Sequence, residues 1–272
     1  MKGPLEYHKR WWLRIFVGVV FVLIYLPILT LIVFSFNDSK RNIVWRGFTT
    51  KYYEKAWNND SLFEAFVNSL VIAGVTTVIA TTLGVMVAVL LWRFRFPFKP
   101  LYEGLVALPI VVPEICMGVA MLAFFSNVTG FPTGWLWPFN LSAIIAAHVA
   151  FTFPFVAIVL RARLSGFNRE LEDASYDLCA TGWQTFWNVV FPYMRPGVVA
   201  GSLLAFTLSL DDFVITFFTA GGGFATLPTQ IYTMIKIAVT PEVNAVSTLL
   251  MLLTLVLIVI ASKLSPSAIK GH

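Results

Sequence analysis

Charge is scarce in this sequence. Only 12% of its 272 residues are Asp, Glu, Lys or Arg and 58% are hydrophobic, whereas a soluble domain carries about 25% charged residues. Mean hydropathy is +0.80. These figures exclude an ordinary soluble domain and predict an integral membrane protein with nearly all of its chain in or near the bilayer. Cysteine is scarce too. The two present, Cys116 and Cys179, fall in a predicted membrane segment and a predicted cytoplasmic loop, so no disulfide is expected. Three histidines, no HExxH and no paired Cys spacing argue against a metal site. No GxxxxGK[ST] occurs, so the chain is not expected to bind ATP through a P-loop. Nothing resembles a nucleophile–base–orienter set, and catalytic residues are expected to be none. Net charge is +5, but the basic residues sit in short loops rather than in a stripe, which points to membrane topology and not to nucleic acid.

What is present is a series of long apolar runs. Six of them, at about 15–36, 65–92, 101–125, 141–160, 197–218 and 243–262, are long enough for a bilayer, which takes about 20 residues per helix. The expected fold is all-α and integral to the membrane, a single transmembrane domain over 1–272. Lys/Arg counts set the orientation. With the N-terminus inside, thirteen basic residues lie on the cytoplasmic side and six outside, so both termini are expected in the cytoplasm. The basic start followed by a long run with Pro27 is read as a retained first span rather than a cleaved signal.

Several spans are not plain. Pro109 and Pro113 are expected to interrupt the third, directly before Glu114, and Pro154 the fourth. Broken backbone at membrane depth is tolerated only against protein or a water-filled cavity. Gly197, Gly201, Ala205 and Ser209 repeat every four residues, as do Ala80, Gly84 and Ala88, and each set makes a small-residue ridge for close helix packing. Ser209 leads into Leu210-Asp211-Asp212. A carboxylate in hydrocarbon costs at least about 2.5 kcal/mol on insertion scales, so two adjacent ones need a cavity, a partner or a cation. On a regular helix Asp212 lies about 20° from Ala205, on the ridge, and Asp211 roughly 100° away. One would then line a path while the other is bonded within the protein. The alternative places both at the outer interface as caps or loop acids. Glu114 has the same two readings, a cation-attracting carboxylate or a cap on freed backbone. His148 reads as a packed, hydrogen-bonded histidine.

Between spans four and five lies a polar island, residues 168–192, inside an expected cytoplasmic loop, 161–195. Leu171, Ala174, Ser175 and Leu178 share a narrow helical face. Asn168 is the expected N-cap. Thr181 and Gln184 have capping-box spacing for a second helix, which Pro192 is expected to end. A folded helical pair in a polar loop between membrane spans is a candidate docking surface.

The spacing of this island resembles EAA-x3-G-x9-I-x-L-P, the cytoplasmic loop of permease subunits of binding-protein-dependent ABC importers. Asp173-Ala174-Ser175 stands at EAA, Cys179 at the Gly, Val189 at the Ile and Phe191-Pro192 at Leu-Pro. Nearly the whole chain is similar to polyamine (spermidine/putrescine) permease subunits of that family. Ser35-Phe-Asn-Asp-Ser-Lys40, Gly47-Phe-Thr-Thr-Lys-Tyr-Tyr53, Asn59-Asp-Ser-Leu62, Arg93-Phe-Arg95, Pro113-Glu114, Asp177-Leu178, Phe206-Thr-Leu-Ser-Leu-Asp-Asp212 and Thr240-Pro-Glu-Val-Asn-Ala245 carry the likeness.

The resemblance implies a type I importer in the plasma (inner) membrane. A heterodimer of two six-helix permeases forms the path, an ATPase dimer docks beneath and holds ATP and Mg, and an extracytoplasmic binding protein delivers substrate. It implies no cofactor and no enzyme activity for this chain. Asp173, Ala174, Ser175, Asp177, Leu178, Cys179, Ala180 and Pro192 would form the coupling element, with the Gly position, here Cys179, inserted deepest. Asp211, Asp212 and Glu114 would line the path, and carboxylates at membrane depth suit an ammonium cation. The competing expectations are a permease of this type for another organic solute, and a proton-coupled carrier or intramembrane enzyme acting alone.

Overall fold

The computed structural model describes residues 11–40, 42, 44–127, 141–221 and 223–264. Both ends of the chain, with the basic start and Lys270, lie outside them. The regular structure of the described residues is helical: α1 (Trp11–Phe34), α2 (Lys51–Trp57), α3 (Asp60–Arg93), α4 (Lys99–Val111), α5 (Glu114–Asn127), α6 (Leu141–Ser165), α7 (Glu170–Asp177), α8 (Gly182–Thr185), a π-helical turn Phe186–Val190, α9 (Phe191–Leu210), α10 (Val214–Thr219), α11 (Leu227–Ile237) and α12 (Pro241–Leu264). Among the described residues four stretches are long and apolar enough to cross a bilayer: α1, α3, α6 and the continuous run Gly182–Leu210. A fifth is the pair α4 and α5, bent by 106° at Val112-Pro113. The sixth expected span falls in α12, where the apolar stretch Pro241–Val256 is shorter.

The chain divides into two compact units. One comprises 1–60 and 231–252. There the segment after α1 is tied into a knot around Asn37, whose side chain donates to Val44 O and accepts from Arg46 N, both at 2.9 Å. Ser35 Oγ meets Tyr53 OH at 2.6 Å, and Tyr52 OH donates to Ser39 O. Phe36 packs its ring against Phe48 and Tyr53. Lys51 pairs with Asp38, and Lys55 with Glu242 at the start of α12. Most of these residues belong to the stretches that carried the likeness at the sequence level, so part of that likeness is architectural.

The other unit comprises 61–230 and 253–272. Its core is built on small residues, because helices in lipid gain from close van der Waals packing rather than from apolar burial. Ala80 and Ala88 of α3, Val156, Leu160 and Leu164 of α6, and Val190, Met194 and Ala205 form one buried cluster. Val156 is the knob at its centre. A Cβ at Gly84 would stand 2.6 Å from Val156 Cβ, and one at Gly201 would stand 3.0 Å from Val156 Cγ1. Both predicted ridges therefore close on the same side chain of α6.

Three proline readings need correction. α4 runs through Pro109, and the third span breaks only at Val112-Pro113. α6 runs unbroken through Pro154, which is buried in its interior. Pro192 does not end the second helix either, since the run Gly182–Leu210 continues through it. The π turn explains this. The Phe191 N–H bonds to Phe186 O, five residues back. That wider turn shifts the carbonyls that a proline ring would otherwise strike one turn earlier.

Candidate functional site

Hydropathy carries the fifth span to Phe218, but α9 ends at Leu210 and α10 starts at Val214. Asp211 and Asp212 occupy the break, so the regular-helix geometry ends just before them. The break separates the two carboxylates. Asp212 is turned into the protein and is 8% exposed. Its Oδ1 accepts from Ile215 N at 3.3 Å, and its Oδ2 accepts from Thr216 N at 2.8 Å and Thr216 Oγ1 at 2.9 Å. It thereby satisfies the first free N–H groups of α10. Asp211 stands at the end of α9, with its side chain exposed.

His148 of α6 completes the arrangement. Its Nδ1 lies 2.7 Å from Ser209 Oγ, and its Nε2 lies 2.9 Å from Thr216 Oγ1 and 3.3 Å from Asp212 Oδ2. One proton assignment satisfies every partner. Thr216 Oγ1–H donates to Asp212, Nε2–H donates to Thr216 Oγ1, and Ser209 Oγ–H donates to Nδ1. Ser209, His148 and Asp212 have the composition of a hydrolase triad, yet Ser209 is 4% exposed and His148 1%. The group acts as a buried fastening between α6, the end of α9 and α10.

Glu114 is the first residue of α5, directly after the 106° bend, and is exposed. α5 packs against α10, and a Cβ at Gly118 would stand 2.6 Å from Phe218 Cδ2. This approach brings Glu114 within electrostatic reach of Asp211. Of the three expected path acids, Asp211 and Glu114 are exposed, and Asp212 is bonded internally. Composition held no sign of the His148 contacts, since His148 and Thr216 are 68 positions apart.

The polar island folds into the expected helical pair, but Arg169, not Asn168, holds the N-cap position of α7 and makes no side-chain cap bond. Asn168 stands one residue earlier, and its Oδ1 accepts from Glu170 N at 3.0 Å. The Thr181–Gln184 capping box is present in both directions. Ser175 Oγ bonds to Glu172 O and to Thr185 Oγ1, holding α7 against the start of the next helix. Glu172 is buried and paired with Arg93 at the end of α3, and Arg93 also reaches Tyr176 OH at 3.2 Å. Sequence reasoning missed this pair, because nothing at the level of spacing links positions 93 and 172. The opposite face of α7 is bare. Asp173, Ala174, Asp177 and Cys179 are exposed, Leu171 is 50% exposed and Leu178 84%, with Trp183 beside them at 71%. Ala180 is half-buried, and Pro192 is exposed on the continuing helix.

Cys179 has φ +61°. Its N–H bonds to Tyr176 O at 2.8 Å, and the Ala180 N–H bonds to Ser175 O at 3.1 Å. These are the two bonds of a Schellman ending, whose left-handed residue is usually glycine. The glycine of the loop pattern is thus explained by the backbone at this position. Replacing Cys179 by Gly removes a left-handed penalty of about 1–2 kcal/mol and loses part of that to chain entropy. The expected net gain is about 0.5–1 kcal/mol, read as a higher Tm of the detergent-solubilised chain. An unchanged or lower Tm would contradict it.

The helices, the bent pair and the broken span make an all-helical scaffold with spans long and apolar enough for a membrane. Across 98% of both chains the fold matches a bacterial ABC transporter that imports the acidic polysaccharide alginate, with a TM-score of 0.74 at 16% identity. It also matches the MetNI methionine ABC transporter, with a TM-score of 0.60 at 20% identity, over 78% of this chain and 100% of that one. The chain belongs to the family of binding-protein-dependent transport system inner membrane components, whose model matches residues 80–267. It is similar to the spermidine/putrescine transport system permease protein PotC of Escherichia coli K12, 37% identical over 94% of this chain and 95% of that protein. The putrescine transport system permease protein PotI of the same strain is 36% identical over 88% of this chain and 85% of that protein. The chain is accordingly a non-catalytic permease subunit of an ABC importer, an inner-membrane component.

Proposed function

We propose that this permease forms half of the translocation path for polyamines. In this reading six spans cross the membrane with both termini in the cytoplasm. A second, different permease supplies the other half of the path, an ATPase dimer binds the bare face of α7 from the cytoplasm, and a binding protein docks outside. ATP and its Mg stay with the ATPase. Asp173, Ala174, Asp177, Leu178, Cys179 and Ala180 meet the ATPase. Ser175 fastens the coupling helix to Thr185, and Pro192 lies on the helix that carries its motion inward.

The observation that carries the substrate class is the exposed pair Asp211 and Glu114 at two helix breaks. Two exposed carboxylates suit a molecule with two or more ammonium groups. The likeness to PotC and PotI supports the same class. The test is uptake of labelled spermidine and putrescine by the reconstituted complex, with sulfate as the control solute. A charge-assisted hydrogen bond is worth about 1.5–3 kcal/mol, so Asp211→Asn is expected to lower polyamine uptake by about ten- to hundredfold. The ATPase should still co-purify. Full uptake in both Asp211→Asn and Glu114→Gln would overturn the path assignment.

A further inference from the structure

We propose that His148 is a positioning residue for the acidic path, a role that rests on the polyamine reading above. Three elements converge on its ring. Ser209 lies in the last turn of α9, Asp212 in the break, and Thr216 in the first turn of α10; all three are buried, and all meet the two ring nitrogens within 3.3 Å. Asp211 sits between two of these anchored residues. With Ser209 and Asp212 both drawn toward α6, the side chain between them is left on the other side, exposed. The fastening also fixes α10, and α10 lies against α5 where Gly118 admits Phe218. α5 begins with Glu114. One imidazole therefore sets the break that presents Asp211, and through α10 the spacing of Asp211 from Glu114.

A hydrophobic side chain of similar size at 148 keeps the packing and removes the bonds. It leaves the Ser209 and Thr216 hydroxyls without their imidazole partner, while Asp212 keeps its bonds to Ile215 and Thr216, so the break stays capped onto α10 but loses its tie to α6 and with it its fixed position. The effect belongs in substrate recognition, because misplacing a binding group by about 1 Å can cost on the order of a hundredfold.

The test uses His148→Phe and His148→Gln in the full complex, measured only on assembled, ATPase-bearing protein. Gln retains a polar group near Nε2, facing Asp212 and Thr216, and Phe retains none. For polyamine uptake, KM is expected to rise about tenfold or more in His148→Phe and to stay within about threefold of native in His148→Gln. Maximal rate per assembled complex should change less than KM. An unchanged KM in His148→Phe would overturn the proposal.

A second measurement needs no substrate. In a Cys116→Ser, Cys179→Gly background, Asp211→Cys is labelled with a hydrophilic maleimide, with and without His148→Phe. Loss of the fastening is expected to change the labelling rate about fivefold or more, and His148→Gln should restore most of it. Equal rates in all three chains would sink the positioning role. A shifted rate, found together with a native complex that moves no polyamine, would uphold it and remove the substrate reading instead.

Discussion

Gly84→Ala lowers the stability of the chain by about 1–3 kcal/mol, the usual cost of overpacking a close-packed core. The same substitution ten residues earlier on the same helix, Gly74→Ala, is neutral or raises stability by up to about 1 kcal/mol, the helix-propensity difference between the two residues. The difference in sign follows from what a new methyl would meet. At Gly74 nothing lies within 4 Å; at Gly84 the methyl would stand 2.6 Å from Val156 Cβ, 2.7 Å from its Cγ1 and 3.2 Å from Ala157 N. Val156 has no direction in which to retreat. It is fully buried, and on its other side Gly201 of α9 already leaves only 3.0 Å for a Cβ. The offending atom is Cβ itself, so Val156→Ala does not rescue Gly84→Ala, whereas Val156→Gly recovers part of the loss. Thermal unfolding of the detergent-solubilised variants checks the series. Equal melting temperatures for Gly74→Ala and Gly84→Ala would contradict the ridge.

The two ridges were legible in the sequence because a four-residue repeat of Gly, Ala and Ser has one geometric use on a membrane helix. Caps were legible for a similar reason: Thr181 and Gln184 interact within four residues of chain and need no tertiary context. The break before Glu114 was legible from Pro113. Pro109, Pro154 and Pro192 do not end their helices, because a proline costs a helix only what its surroundings fail to absorb, and a π turn at 186–190 is not visible in composition. The end of α9 was hidden for the opposite reason. Phe213 through Phe218 are apolar apart from Thr216, so hydropathy continues across a break made by Asp212 and by a histidine on another helix. The resemblance implies deep contact at the glycine position of the loop pattern, here Cys179, while its left-handed backbone supplies a local reason for glycine there. Long-range polar pairs, Arg93 with Glu172 and His148 with Asp212, left no trace in any periodicity.

The same helix serves both ends of the proposed mechanism. Gly182–Leu210 is 29 residues without interruption, or about 43 Å at 1.5 Å per residue. Its first turn is fastened to α7 by Ser175 and Thr185, and its last residue precedes Asp211. In the proposed importer, force applied to the bare face of α7 would reach the path acid through one stiff element, as a rigid-body displacement. Such a lever works only if α7 is held firmly, and Ser175 is not its only tie.

Arg93→Ala should therefore weaken both stability and coupling, and by more than Glu172→Ala. The Glu172 side chain is 8% exposed and the Arg93 side chain 36%. Removing the arginine strands a buried carboxylate; removing the glutamate leaves a guanidinium that water already reaches. Breaking a fully buried pair costs about 3–5 kcal/mol, and the partial exposure of Arg93 reduces that here to about 1–3 kcal/mol for Arg93→Ala and less for Glu172→Ala. The tie runs from α7 to the end of α3, so its loss lets α7 shift without α3. The reconstituted complex should then hydrolyse ATP with less substrate moved per ATP, while the ATPase remains bound to the other face of α7. Reversing both charges, Arg93→Glu with Glu172→Arg, should recover part of the transport that either single reversal abolishes. If the alanine variants lose equal stability, or the double reversal moves no more substrate than the single ones, the pair is a packing detail and α7 is held by Ser175 and Thr185 alone.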